Sequence, residues 1–213
     1  DPSVSKRYLE TAMRSSRSLL RLLNDILDLS RLEASRMPVV EEVFNIHELV
    51  GELTDSFQAV VLDRGLTLRS TVDGGVPSYL LGDTVRIRQI LTNLIGNAVK
   101  FTIRGQVDIR ISRLAPYKSG AQRIYIEIED TGVGIPDQAQ AGLFAPFAQA
   151  DSTQTRKFEG SGLGLSITQH LVVLLGGTLA FMSDRDGSTF AVCLPLHEAS
   201  AQSPGPVPEV ASD

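Results

Sequence analysis

"NLIGNAVKFT", Asn93 to Thr102, is the stretch from which the rest of the chain can be read. With the residues just upstream, its apolar positions Ile90, Leu91, Leu94, Ile95, Ala98 and Phe101 fall at helical spacing. That is the buried stripe of an amphipathic helix. Asn93 and Asn97, four apart, share a face of it, and Lys100 follows one turn later. Asn is a mediocre helix former and is costly to bury without partners, so these three polar residues need an explanation. Asp83 is well placed as the N-cap of a helix running from Thr84 to Phe101.

Upstream, residues 5–36 carry apolar positions at helical spacing with no interior Gly or Pro, predicting one long amphipathic helix stopped near Met37-Pro38. Its length suggests a coiled coil or bundle arm. A second helix is predicted over Ile46 to Asp63, and "LTLRSTVD" alternates like a strand. Downstream, "GQVDIRISRL" and "RIYIEIED" read as a hairpin across the loop "APYKSGAQ". Residues 131–164 are irregular and rich in Gly, Ser, Thr and Gln, and so long a loop inside a compact domain is usually functional. A short helix from about Leu165 to Leu175 ends at Gly176-Gly177, and the strands "TLAFMSD" and "STFAVCLPL" follow. The expected division is a helical arm over 1–38, an α+β domain over 39–198 and a Pro-rich linker or tail over 199–213. The sheet is expected to be mostly antiparallel, in a two-layer α/β sandwich with helices on one face.

The chain has 213 residues, 42% hydrophobic and 21% charged, enough for a substantial core. No apolar run reaches the roughly 20 residues a membrane span needs, and the opening "DPSVSKRYLE" is not a signal peptide. The net charge of −5 gives nucleic-acid binding no support. The single cysteine, Cys193, reads as a small core residue, and a reducing compartment fits.

Three further motifs carry chemistry. "DTGVGIP", Asp130 to Pro136, follows a strand directly, so its carboxylate should emerge from a sheet end into a pocket. Gly132 and Gly134 let the backbone turn and let a flat ligand approach. A carboxylate only accepts hydrogen bonds, so it suits an exocyclic amino group such as adenine's. "EGSGLGLSI" runs Gly160, Gly162 and Gly164 into a helix, where free N–H groups and the helix dipole attract phosphate. It is neither a P-loop nor a dinucleotide fingerprint. Between them, "LFAPFAQADSTQTRKFEG" offers Leu143, Phe144 and Phe147 as apolar anchors and Arg156 and Lys157 as cations ahead of the glycines.

In that order the motifs resemble the ATP-binding domain shared by sensor histidine kinases, DNA gyrase, the Hsp90 chaperones and MutL, the Bergerat-type nucleotide fold. The finer resemblance is to sensor histidine kinases of the hybrid type. "RIRQILTNLIGNAVKFT", "DTGVGIP", "LFAPFAQAD" and "TRKFEGSGLGLSITQHLVVLLGG" look like their asparagine, first glycine, phenylalanine and second glycine boxes. "RSLLRLLNDILDLSRLEASRM" looks like the second helix of their dimerisation and phosphoacceptor hairpin. The resemblance spans about residues 5–197 and implies the following site. Asn97 would ligate Mg²⁺ between the ATP phosphates with Asn93 assisting, and Lys100 would contact phosphate. Asp130 would hold the adenine amino group. Gly132, Gly134, Ile135, Phe147, Leu163, Leu165 and Thr189 would also line the nucleotide, Thr189 near the adenine. Residues 137–160 would form a lid from which Arg156 or Lys157 reaches the phosphates, and Gly160, Gly162 and Gly164 would offer the phosphate loop.

The resemblance also implies homodimerisation, or pairing with another sensor kinase, through the helical arm. It implies a response-regulator receiver as partner, and a cytoplasmic position beneath a parent anchored in the bacterial inner membrane. The family's phosphoacceptor motif does not occur: His47 lies after the long helix, and His170 and His197 suit no catalytic role. The chain is therefore expected to be a fragment lacking the first hairpin helix, unable to autophosphorylate alone. Ala145 stands where many relatives carry Glu in the phenylalanine box. Two other functions compete. A kinase-like regulator would bind another sensor kinase through the arm without phosphotransfer. A gyrase- or chaperone-type ATPase is disfavoured, because those relatives carry Glu four residues before the metal-binding Asn and this chain has Asn93.

Overall fold

The computed structural model describes residues 2–34, 37–115, 121–148 and 161–201. A helix of 32 residues, α1 (Pro2–Glu33), leads the chain. Strand β1 (Glu42–Asn45) runs straight into α2 (Ile46–Asp63), capped by Asn45, whose side-chain oxygen accepts from the N–H groups of His47 and Glu48. Then come β2 (Thr67–Val72), β3 (Tyr79–Gly82) and α3 (Thr84–Phe101). Asp83 caps α3 as expected, with Oδ1 accepting from Arg86 N–H at 3.0 Å, and its Oδ2 takes the N–H of Val40 at 3.0 Å.

Strands β4 (Gln106–Leu114) and β5 (Gln122–Asp130) pair antiparallel as the hairpin expected. A single-turn helix, α4 (Asp137–Gln140), lies inside the segment read as irregular. Helix α5 (Gly164–Leu174) and strands β6 (Thr178–Ser183) and β7 (Ser188–Glu198) follow. The sheet order is β1-β3-β7-β5-β4-β2, with β6 pairing β7 beside β3's short contact. Every pairing is antiparallel except β2 with β4.

The pleat sorts side chains by parity. Val107, Ile109 and Ile111 of β4, Ile124, Ile126 and Ile128 of β5, and Phe190, Val192 and Leu194 of β7 form one buried face. Helices α2, α3 and α5 cover it, joining Leu49, Leu53, Ile87, Leu91, Leu94, Ile95, Ile167 and Leu171 in one core. The opposite face is polar, with Arg110 pairing Glu127 at 2.7 Å and Glu129 at 2.8 Å. Among the described residues of α1, Leu29 and Leu32 near its end reach the core; upstream of them Leu9, Met13, Leu20 and Leu23 are exposed. Among the described residues no helix is long and apolar enough to cross a membrane.

Candidate functional site

The C-terminal half of α3 is the floor on which the separated motifs meet. Asp130 ends β5 on the helix-covered face, 7% exposed. Its Oδ1 accepts the N–H of Gly132 at 2.8 Å, and the backbone N–H of Ser188 also donates to the carboxylate. Burial is the largest influence on this acid and pushes its pKa up to about 6; the two N–H bonds oppose the rise and the charge of Glu129 adds to it. A half-desolvated carboxyl with spare acceptor capacity is suited to a ligand that donates.

The turn after Asp130 is tied to α3 by Val133 N–H donating to Phe101 O at 3.4 Å. Gly134 has φ +65, and a Cβ there would meet the carbonyl oxygen of Asp184, so position and conformation both demand glycine. Ile135 N–H donates to Ser183 Oγ at 2.8 Å, Ser183 Oγ lies 2.9 Å from Ser188 Oγ, and Gln140 Nε2 donates to Ile135 O at 2.8 Å. The motif is thereby fixed to the β6–β7 hairpin and to α4. Ser183, Ser188 and Gln140 were not singled out in the sequence. Their parity would have selected Ser188 only once the strand register was known.

That register decides Thr189. Asp130 pairs with Ser188 and Glu129 with Thr189, so Thr189 lies on the far face of the sheet. The neighbour of the Asp130 carboxyl is Ser188, not the threonine expected there.

On α3, Asn97 is half-buried and its carboxamide has no partner among the described residues. Asn93 does have one: its Nδ2 donates to Thr168 Oγ1 at 2.7 Å, and its carboxamide lies where a Cβ on Gly164 would fall. Asn93 therefore joins α3 to the start of α5. Lys100 places Nζ 4.5 Å from the centre of the Phe101 ring, and burial lowers its pKa. In the second glycine motif, Gly162 has φ +71 and packs against the backbone of Phe147 and Ala148. Leu163 is 0% exposed and Leu165 is half-buried against the core, so what this loop can offer a ligand is backbone N–H. Arg156, Lys157 and Gly160 lie outside the described residues.

In the phenylalanine segment, Leu143 and Phe144 pack against the core, Phe144 meeting the Phe181 ring edge-on at 5.6 Å. Phe147 does not anchor: it is 63% exposed, with φ +63. His47 and His197 are exposed, and the His170 ring engages Ser166 O at 2.8 Å within α5. No group of three or more His, Cys, Asp or Glu that could hold a metal occurs among the described residues.

A donor-seeking carboxyl at a sheet end, a carboxamide without a partner among the described residues and a lysine on one helix, and a glycine loop opening a second helix meet on one side of an α/β domain and suit a nucleotide. Comparison with known proteins agrees. Residues 82–198 match the family model described as histidine kinase-, DNA gyrase B-, and HSP90-like ATPase, and residues 1–35 match the His kinase A (phospho-acceptor) domain. The signal transduction histidine-protein kinase BarA of Escherichia coli K12 is 41% identical over 188 residues, 88% of this chain and 20% of BarA. Hybrid signal transduction histidine kinase K of Dictyostelium discoideum is 42% identical over 210 residues, 95% of this chain and 17% of that protein. The structure of full-length ShkA in complex with AMPPNP matches with TM-score 0.77 and 32% identity over 92% of this chain and 40% of that one. The chain thus belongs to the histidine kinase-, DNA gyrase B-, and HSP90-like ATPase family. It spans about a fifth to a quarter of the first curated relatives it matches.

Proposed function

We propose that this chain binds Mg-ATP in the site around Asp130 and Asn97 and transfers the γ-phosphoryl group to a histidine outside residues 1–213. The observation that carries the reading is the Asp130 carboxyl, buried, fixed by two backbone N–H groups and still able to accept from an adenine amino group. Asn97 supports the phosphate end, because its carboxamide oxygen, without a partner among the described residues, is a ligand type that Mg²⁺ takes alongside phosphate oxygens and water. Asn97 would help to hold that ion, whose charge would offset the negative charge of the phosphates. Lys100 supplies a cation at the end of α3, and the N–H groups of Gly162 and Gly164 supply dipoles. Catalysis in this reading is positioning plus charge neutralisation. A neutral imidazole is already nucleophilic, so the domain need supply no base. Asn93 supports phosphotransfer over hydrolysis: held by Thr168, it can neither deprotonate water nor act as a carboxylate. The arm over 1–38 would pair with a second copy of the chain or with another sensor kinase, and a receiver domain of a response regulator would take the phosphoryl group onward.

The test uses γ-labelled ATP with this chain and a form extended to include a histidine-bearing hairpin helix. Acid-labile, base-stable label on the extended form, and none on residues 1–213 alone, is expected. Nucleotide binding without label on either would favour the regulator that pairs with another kinase through its arm.

A further inference from the structure

The start of α5 lacks the groups that usually stabilise a helix N-terminus. Leu163 at the N-cap makes no side-chain cap bond, and the first turn contains no acidic residue. The compensation comes from far away in sequence. Ser161 Oγ accepts the N–H of Leu163 at 3.2 Å and donates its own proton to Asp25 Oδ2 of α1 at 3.0 Å. One turn on, Asp28 Oδ2 accepts from Gln89 Nε2 on α3 at 2.8 Å, and Leu29 beside it is buried in the core. A carboxylate is thus relayed onto the positive end of α5, inside the loop whose N–H groups suit a phosphate.

We propose that Asp25 is an internal competitor of the nucleotide. Through Ser161 it neutralises the α5 N-terminus in the free chain, and nucleotide phosphates displace it. The inference rests on the nucleotide reading of this site. Its physical basis is that two anions cannot share one helix terminus without repulsion, and that a loop N–H already accepted by Ser161 is withheld from phosphate. Because binding free energies are reciprocal, the factor by which docked α1 weakens nucleotide is the factor by which nucleotide loosens α1. Asp25 and Ser161 thereby set nucleotide affinity by arm position, without touching the base.

The experiment titrates a fluorescent ATP analogue with Mg²⁺ into the full chain, wild type and Asp25→Asn, with and without Ser161→Ala. Asp25→Asn keeps the acceptor and removes the charge, and should tighten binding about three- to tenfold. In the Ser161→Ala background the same change should alter affinity less than twofold. Saturating nucleotide should speed hydrogen exchange over residues 22–33 of wild type, and less so in Asp25→Asn. Equal or weaker binding by Asp25→Asn overturns the competition while leaving the nucleotide site intact. The same tightening without Ser161 overturns the relay. Absence of binding by wild type overturns both this inference and the reading beneath it.

Discussion

Asp130 shows at one position how a site conflicts with the fold that holds it. Its pKa of about 6 lies above the ordinary 3.8 because burial disfavours the charged form. A carboxyl whose folded pKa is raised favours the folded state when protonated, so its contribution is lost as pH rises from about 4 through 6. At pH 7.5 the free protein holds an ionised, poorly solvated acid. Asp130→Asn should therefore raise the melting temperature of the nucleotide-free chain while weakening an ATP analogue about ten- to a hundredfold, the loss of a charged hydrogen bond of roughly 1.5–3 kcal/mol. Equal affinities would remove the adenine assignment. The carboxylate is the form that accepts most strongly, so wild-type affinity should fall about tenfold between pH 7.5 and 5. Asp130→Asn supplies the background for the nucleotide's own titration and should lack that component. Asp130 was legible in the sequence because a strand ran directly into Asp-x-Gly-x-Gly. Its neighbour was not: the choice between Ser188 and Thr189 turns on a one-residue register, which flips every side chain to the other face.

Helix α3 holds the motifs together, and its pairing with α5 is measurable. Asn93 Nδ2 to Thr168 Oγ1 is a half-buried bond of 2.7 Å across 75 residues. Asn93→Ala and Thr168→Ala should each cost about 1 kcal/mol in urea unfolding, with a coupling of about 0.5–1.5 kcal/mol in the double-mutant cycle. Additive effects would mean that the bond does not form in solution. At the first glycine turn, Gly134→Ala combines a positive φ with the carbonyl of Asp184, and should destabilise the fold by about 1–3 kcal/mol. Helices α2 and α3 were legible because each carries a cap and a 3.6-residue stripe, and Asp83, Ile46 and Phe101 mark their ends. Strands β1 and β3 were not read, since four residues in "EVFN" and "YLLG" carry too little alternation to stand out. The parallel contact of β2 with β4 was equally hidden, because nothing local specifies a partner that lies beyond α3.

At the scale of the whole molecule, two things decide behaviour that no single motif records: where α1 meets the domain, and how much of it does not. The periodicity of residues 5–36 made the helix legible, but Asp25 with Ser161 spans 136 residues and Asp28 with Gln89 spans 61, and only the folded chain brings them together. Upstream of that contact, Leu9, Met13, Leu20, Leu23 and Leu27 recur at alternating three- and four-residue steps, with one gap at Ser16, and all are exposed. Such a stripe has the spacing of a helix-pair seam and is costly to leave in water. Fully burying a leucine stabilises by about 1.5–3 kcal/mol. A dimer would cover ten such positions, and even their partial burial exceeds the lower estimates of association cost, about 4 kcal/mol. The chain should therefore self-associate in sedimentation velocity with a dissociation constant of about 1 μM or below. Leu20→Glu with Leu23→Glu should return it to monomer, by placing two carboxylates in the seam. Neither residue belongs to the nucleotide site, so the monomeric variant should still bind the ATP analogue within about twofold of wild type. A wild-type chain that stays monomeric at 100-fold that concentration would mean the seam is shaped for a different helix, and mixing with a histidine-bearing hairpin helix would then be the measurement that finds it.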